Sequence, residues 1–336
     1  MGQSRGRADR KRRFVETVDY HTAGEPFRIV TGGVPPLEGR SILEKRRFAP
    51  ERLDDVRRLL VHEPRGHADM YGCFVVEPDD EGADLGVVFF HNAGYSTACG
   101  HGTIALVTWA LESGRLDAAE PETRVVVDVP SGRLLTVARV DDGRVAAVRF
   151  QNVPSFVAAR GLAAAGLVAD VAFGGAFYAS VEAPFAVETA NVTRFIELGR
   201  AVKRELEEAQ EFAHPLEPEL RGVYGVVFFE RLGEGPPLAQ RNLTVFADGE
   251  VDRSPCGSGT SARLALLDAS GELPRGDELR HTSVIGTEFR ARVVGGAEVA
   301  GIPAVVTEVE GSAYYTGRHE FTLDPGDPLG TGFLLR

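Results

Sequence analysis

Short apolar, β-branched or aromatic runs recur along the chain between turn residues. The first three cover 28–31, 70–76 and 85–90, each bounded by Gly, Pro or Asp. Runs at 124–129, 134–140 and 145–150 follow, set apart by Ser131-Gly132 and by Asp141-Asp142-Gly143. The second half continues in the same style at 225–230, 242–247, 289–294, 304–309 and 319–323. Each run predicts a strand. Helical spacing is rarer. Leu53, Val56, Leu59 and Leu60 share one face of a helix expected over 50–61, and a longer amphipathic helix is expected over 191–212. Strands follow one another instead of alternating with helices, so a regular parallel sheet is not indicated. The expected class is α/β of the α+β type.

One internal repeat changes this picture. Cys99-Gly100-His101-Gly102-Thr103-Ile104-Ala105 and Cys256-Gly257-Ser258-Gly259-Thr260-Ser261-Ala262 share the pattern Cys-Gly-x-Gly-Thr-x-Ala. After seven intervening residues each copy continues as Ser-Gly-x-Leu, at Ser113–Leu116 and Ser270–Leu273. The stretch between carries Ile104, Val107 and Leu111 in one copy and Leu264 and Leu267 in the other, a helical spacing. Gly114 and Gly271 stand where helices end, and Pro274 confirms a stop. With a β run expected before each Cys, both halves read as strand, Gly-rich turn, Cys at a helix N-terminus, helix. The cysteines lie 157 residues apart, about half the chain. A duplicated unit with a pseudo-twofold cleft between its copies follows.

Composition narrows the function. The 336 residues suggest two domains, and 43% hydrophobic residues can bury a sizeable core. A net charge of −12 argues against nucleic-acid binding, which needs a basic face. Residues 1–13 carry six Arg or Lys with no apolar run behind them, unlike a secretory signal, and read as a solvated tail. No window suits a membrane span. A cytoplasmic protein is expected. Three cysteines are too few for a disulfide scaffold, and with no Cys-x-x-Cys pair and eight scattered histidines a structural zinc site is not expected. Cys73, inside 70–76, reads as a core thiol.

A cysteine at a helix N-terminus meets free N–H groups and the positive end of the helix dipole, which favour the thiolate. The glycines let a ligand approach those N–H groups, and an anion fits there. Two such helices aimed at one cleft make a carboxylate cradle with a thiol on each side. That is the geometry of a two-base racemase, in which one Cys takes the Cα proton and the other donates on the opposite face.

The stretches 98–103 (ACGHGT) and 252–260 (DRSPCGSGT) resemble the two active-site motifs of the proline racemase family. So do 19–26 (DYHTAGEP), 63–72 (EPRGHADMYG), 174–178 (GGAFY), 311–317 (GSAYYTG) and the C-terminal Asp327-Pro328 with Gly332-Phe333-Leu334. The resemblance covers residues 14–336. It implies two pseudo-symmetric domains like those of diaminopimelate epimerase, each a mixed sheet wrapped around a central helix, with the active site between them. The division expected is 14–155 plus 324–336 for the domain carrying Cys99, and 156–323 for that carrying Cys256. The resemblance further implies catalysis without pyridoxal phosphate, metal or nucleotide. Cys99 and Cys256 become the acid/base thiols. The backbones of Gly100, His101, Gly257 and Ser258 would hold the substrate carboxylate, and Asp252 and His101 would contact the ring nitrogen. A helix-start role for His101 and a turn cap for Asp252 stay open beside this.

Racemases and epimerases of the family resemble this chain in having Cys at the second motif, where the typical dehydratase has Thr. The expected activity is therefore inversion at Cα of proline or hydroxyproline, with dehydration of trans-3-hydroxy-L-proline as the alternative. GGAFYA and 243–254 (LTVFADGEVDRS) look more like the dehydratase branch, and GGNWF, which resembles 4-hydroxyproline epimerases, is absent. Three rivals are weaker. Gly257-x-Gly259-x-x-Ala262 mimics a dinucleotide fingerprint without a clear βαβ unit. A cysteine hydrolase would need a better-placed base than His101 and leaves the second copy unexplained. A small-molecule binding module of the same form would bind without turnover. The partner expected is a small amino acid, and the oligomeric state is left open, a homodimer included.

Overall fold

The computed structural model describes residues 13–233 and 235–335. Of the basic stretch 1–13, residues 1–12 lie outside the described residues, and Arg13 opens the first strand.

The first half runs β1 (Arg13–Thr22), β2 (Glu25–Gly32), α1 (Ile42–Val61), β3 (Tyr71–Val76), β4 (Leu85–His91), β5 (Gly94–Tyr95), α2 (Gly100–Glu112), β6 (Glu122–Val129), β7 (Gly132–Asp141) and β8 (Arg144–Gln151). The second runs β9 (Ser155–Ala164), β10 (Leu167–Phe173), β11 (Phe177–Glu182), α3 (Val192–Ala209), β12 (Val223–Arg231), β13 (Leu238–Phe246), β14 (Glu250–Asp252), α4 (Gly257–Ser270), β15 (Glu278–Ser283), β16 (Glu288–Val299) and β17 (Ile302–Gly311), and β18 (Ala313–Leu323) follows.

Strand pairing shows the duplication. From β1 to β8 the neighbours pair antiparallel, parallel (β2–β3), antiparallel, parallel (β4–β6), then antiparallel twice. From β10 to β17 the same sequence of senses recurs, with β11–β12 and β13–β15 as the parallel pairs. Crossover helices fall at matching places: α1 matches α3, and α2 matches α4. In the second half β9 pairs with both β10 and β17, closing the ring. In the first, β8 pairs with the end of β17 while β18, starting two residues on, pairs with β1 over its whole length. Closure removes exposed strand edges. The expected division at 323/324 would set 313–323 with the second half; their pairing with β1 sets them on the first-half sheet instead.

Each ring wraps a helix. Residues Gly100 to Leu111 of α2 are all buried, as are Gly257 to Leu267 of α4. A helix covered on every side needs no polar face, and the polar groups that α4 does bury are paired, Arg263 with Gln240 Oε1 and Ser261 with the Gly257 carbonyl. By contrast α3 buries only Phe195, Ile196, Gly199, Val202 and Leu206, one stripe against the sheet. α1 starts earlier than expected from Pro50. Ser41 caps it by accepting the Glu44 N–H, and buried Ala49 and Leu53 pin the chain on both sides of the proline. The runs expected before each Cys at 85–90 and 242–247 are strands β4 and β13, and a strand of two or three residues, β5 or β14, stands between each and its Cys.

Candidate active site

The central helices meet head to head. A Cβ placed on Gly100 would lie 2.6 Å from the Cα of Gly257, and one on Gly257 would lie 2.8 Å from the Cα of Gly100. Backbone against backbone leaves nothing flexible to yield, so both positions require glycine. Cys99 and Cys256 are the N-cap residues of α2 and α4.

A small, narrow pocket lies at this junction. Cys99, Gly100, His101, Asp252, Cys256, Gly257 and Ser258, the seven residues singled out from sequence, all line it. Cys73 does not; it is fully buried in β3, where burial alone pushes its thiol up.

The two thiols have different surroundings. Cys99 has extended backbone, φ −157°, and its Sγ accepts the Gly102 N–H at 3.2 Å. His101 Nε2 lies 3.5 Å from the same sulfur. Cys256 has φ +61°, a left-handed conformation rare for a residue with a Cβ. Its Sγ is 3.7 Å from the Tyr178 hydroxyl, which pairs with Ser258 Oγ at 2.7 Å. Burial dominates both titrations. It raises Cys99 well above the ordinary thiol value against the Gly102 N–H, and raises Cys256 to about 12 with the Asp252 charge adding to it. The downward shift expected from the helix N-termini is therefore outweighed by desolvation.

Asp252 sits at the end of β14, where Oδ1 accepts the Ser254 N–H at 2.8 Å. Burial raises it to about 6. His101 is pushed down to about 3 by burial, so it is neutral at ordinary pH. Its Nδ1 is 4.0 Å from Asp252, too long for a hydrogen bond, and the ring packs edge-on against Tyr71 instead.

Sequence reasoning missed the aromatic wall. Tyr71 and Tyr224 line the pocket with their hydroxyls 3.0 Å apart, and Tyr71 also donates to Ser96. Both open a Tyr-Gly pair at the start of matching strands, β3 and β12, a second repeat that the sequence carries in plain view. Tyr178 lay inside the GGAFY match without a role. Among the described residues no group of three or more His, Cys, Asp or Glu side chains is placed to hold a metal ion, and no helix is long and apolar enough to cross a membrane.

A duplicated strand ring with a Cys-capped helix in each half defines an epimerase-like class of protein. A sequence model of the proline racemase family matches residues 17–334, and the chain belongs to that family. It is 45% identical over 332 residues to a 3-hydroxyproline 2-epimerase of Burkholderia multivorans, covering 96% of this chain and 99% of the relative. A trans-3-hydroxy-L-proline dehydratase of Burkholderia ambifaria is also 45% identical over 332 residues, with the same coverage. Among solved structures, a hydroxyproline epimerase from Agrobacterium vitis with bound trans-4-hydroxy-L-proline superposes with a TM-score of 0.89 at 34% identity, over 96% of each chain. The expected fold, a mixed sheet around central helices, is thus found in this chain.

Proposed function

We propose that this enzyme inverts the Cα of a hydroxyproline or proline by proton transfer between Cys99 and Cys256, without a cofactor. The observation that carries the reading is a second cysteine, Cys256, lining the same pocket as Cys99. The substrate carboxylate lies between the abutting helix starts, held by the N–H groups of Gly100, His101, Gly257 and Ser258. Asp252, and the neutral imidazole of His101, face the ring ammonium. With Asp252 near 6 in its buried place, the approaching cation favours its carboxylate form. One cysteine begins as thiolate and takes the Cα proton, becoming a thiol. The other begins as thiol, protonates the opposite face of the carbanion, and is left as thiolate. The reverse reaction exchanges the roles. Desolvation makes both thiolates strong bases, which suits them to a weakly acidic Cα–H once the ammonium and the N–H cradle stabilise the charge formed there.

A second reading is supported by the equal identity to a dehydratase and an epimerase. Cys99 would take the Cα proton of trans-3-hydroxy-L-proline and the C3 hydroxyl would leave as water, giving Δ1-pyrroline-2-carboxylate after tautomerisation. L-Proline, trans-4-hydroxy-L-proline and trans-3-hydroxy-L-proline, each incubated with the enzyme in D₂O and followed by NMR and polarimetry, separate the two. Deuterium at Cα with inversion is the expected result. Loss of water from the 3-hydroxy substrate with no inversion of any of the three would replace inversion by dehydration.

A further inference from the structure

The hairpin turns between β1 and β2 and between β10 and β11 occupy matching places in the two halves, and each reaches across to the other half. The turn 174–176 hands the Gly175 carbonyl to Thr97 Oγ1 at 2.8 Å, two residues before Cys99. A Cβ on Gly175 would meet Ala98 at 2.7 Å. In the other direction the Ala23 carbonyl accepts Thr287 Oγ1 at 2.7 Å, and a Cβ on Gly24 would run into Ile285. The turn 174–176 thus clasps the Cys99 loop, while the turn at Gly24 grips the turn between β15 and β16 and, through the next residue, the loop before Cys256.

The clasps differ in one residue. After Gly175 comes Ala176; after Gly24 comes Glu25, whose side chain is 0% exposed. Glu25 Oε2 accepts the backbone N–H of Arg253 at 2.6 Å, and the Arg253 guanidinium lies 3.0 Å from Asp69. A carboxyl group is costly to bury. Here it fixes the backbone beside Asp252 and three residues before Cys256, the thiol whose own φ is +61°. Such a conformation persists only where its surroundings over-determine it.

We infer that Glu25 is a positioning residue for the second thiol, holding from the first half the loop that places Asp252 and Cys256. Its importance for turnover rests on the acid/base reading of Cys256, but the clasp itself is testable without turnover. Iodoacetamide modification of the two cysteines, followed by peptide mass spectrometry across pH, gives a rate for each thiol. In Glu25→Ala the ratio of the Cys256 rate to the Cys99 rate is expected to shift at least fivefold from the unsubstituted enzyme. Glu25→Gln keeps an acceptor oxygen for the Arg253 N–H and is expected to stay within twofold. Glu25→Asp withdraws the acceptor by one methylene and is expected to shift the ratio as alanine does; it serves where the alanine variant does not fold. An unchanged ratio in the variants that fold among Ala and Asp, equal changes at both thiols, or a Gln variant as perturbed as alanine each overturns the inference. Absence of any proline inversion by the unsubstituted enzyme overturns the catalytic reading and the role of Glu25 in turnover, while the alkylation ratio still decides the clasp.

Discussion

The Cys99 and Cys256 sites share a backbone plan and differ in almost every polar neighbour. Both cysteines cap a fully enclosed helix, both precede a glycine that touches its counterpart, and both helices end on a glycine at φ near +72°, Gly114 and Gly271. Yet the position two residues on is His101 in one copy and Ser258 in the other. One sulfur takes an N–H bond on extended backbone; the other lies near a tyrosine hydroxyl with its own backbone left-handed. Duplication accounts for the symmetric parts, to which the proposed function assigns the substrate carboxylate. Divergence of the rest gives the two thiols different environments, and under the proposed function these would serve opposite faces of one carbanion. A substrate with a ring nitrogen on one side only calls for that asymmetry, and Asp252 has no carboxylate counterpart, since Tyr95 stands at the corresponding distance before Cys99.

The largest effect expected comes from removing either thiol. Cys99→Ser and Cys256→Ser should each lower inversion by about 10²–10⁴-fold or more, because serine is not ionised near neutral pH. Cys73→Ser should leave inversion intact. Cys256→Thr breaks the comparison differently: it should abolish inversion while sparing or creating dehydration of trans-3-hydroxy-L-proline, since Cys99 remains to take the proton. Polarimetry and detection of the pyrroline product check both. Full inversion by either serine variant would end the two-thiol mechanism.

What could be read from sequence was what local pattern encodes. The repeated Cys-Gly-x-Gly-Thr motif located α2, α4, their glycine stops and six residues of the pocket, and the family resemblance added Asp252. Ring closure was out of reach because it depends on pairing between strands far apart in sequence. Strands β9 and β10, with runs such as AARGLAA and LVADVA, have too much alanine to announce themselves, and their neighbours supply the order that propensity lacks. The direction of the thiol shifts was misjudged for a related reason. A helix N-terminus is visible in the sequence, whereas the aromatic wall that desolvates it arrives from β3, β11 and β12.

The His101/Ser258 difference predicts a pH effect on stability. Folding moves His101 from 6.5 down to about 3, so the folded state binds fewer protons than the unfolded one. Its stabilising share is whole above pH 6.5 and is lost as pH falls through that value toward 3. One proton corresponds to about 1.4 kcal/mol per pH unit, or about 2 kcal/mol between pH 6.5 and 5. His281, also pushed to about 3, adds the same sign, while Asp252, raised to about 6, opposes both by favouring the folded state at lower pH. The difference between the unsubstituted enzyme and His101→Asn isolates the first site. Urea unfolding at pH 7, 6 and 5 should show a flatter pH dependence in the variant, and parallel curves would contradict the buried neutral imidazole.

The smallest effect expected reads the backbone itself. At φ +61° a Cβ is crowded, and glycine should be favoured over alanine at residue 256 by about 1 kcal/mol. At residue 99, with φ −157°, no such term exists. Both positions are N-caps, where glycine is preferred to alanine in any case, so a single pair of variants would confuse cap preference with strain. The four variants Cys99→Gly, Cys99→Ala, Cys256→Gly and Cys256→Ala remove that ambiguity. The cap preference cancels between sites, and so does the loss of each sulfur, because it is common to both members of a pair. The glycine advantage at 256 should exceed that at 99 by about 1 kcal/mol in urea unfolding. Equal advantages would mean that the left-handed turn at Cys256 is not held in solution, and the structural contrast between the two thiols would then reduce to their side-chain neighbours.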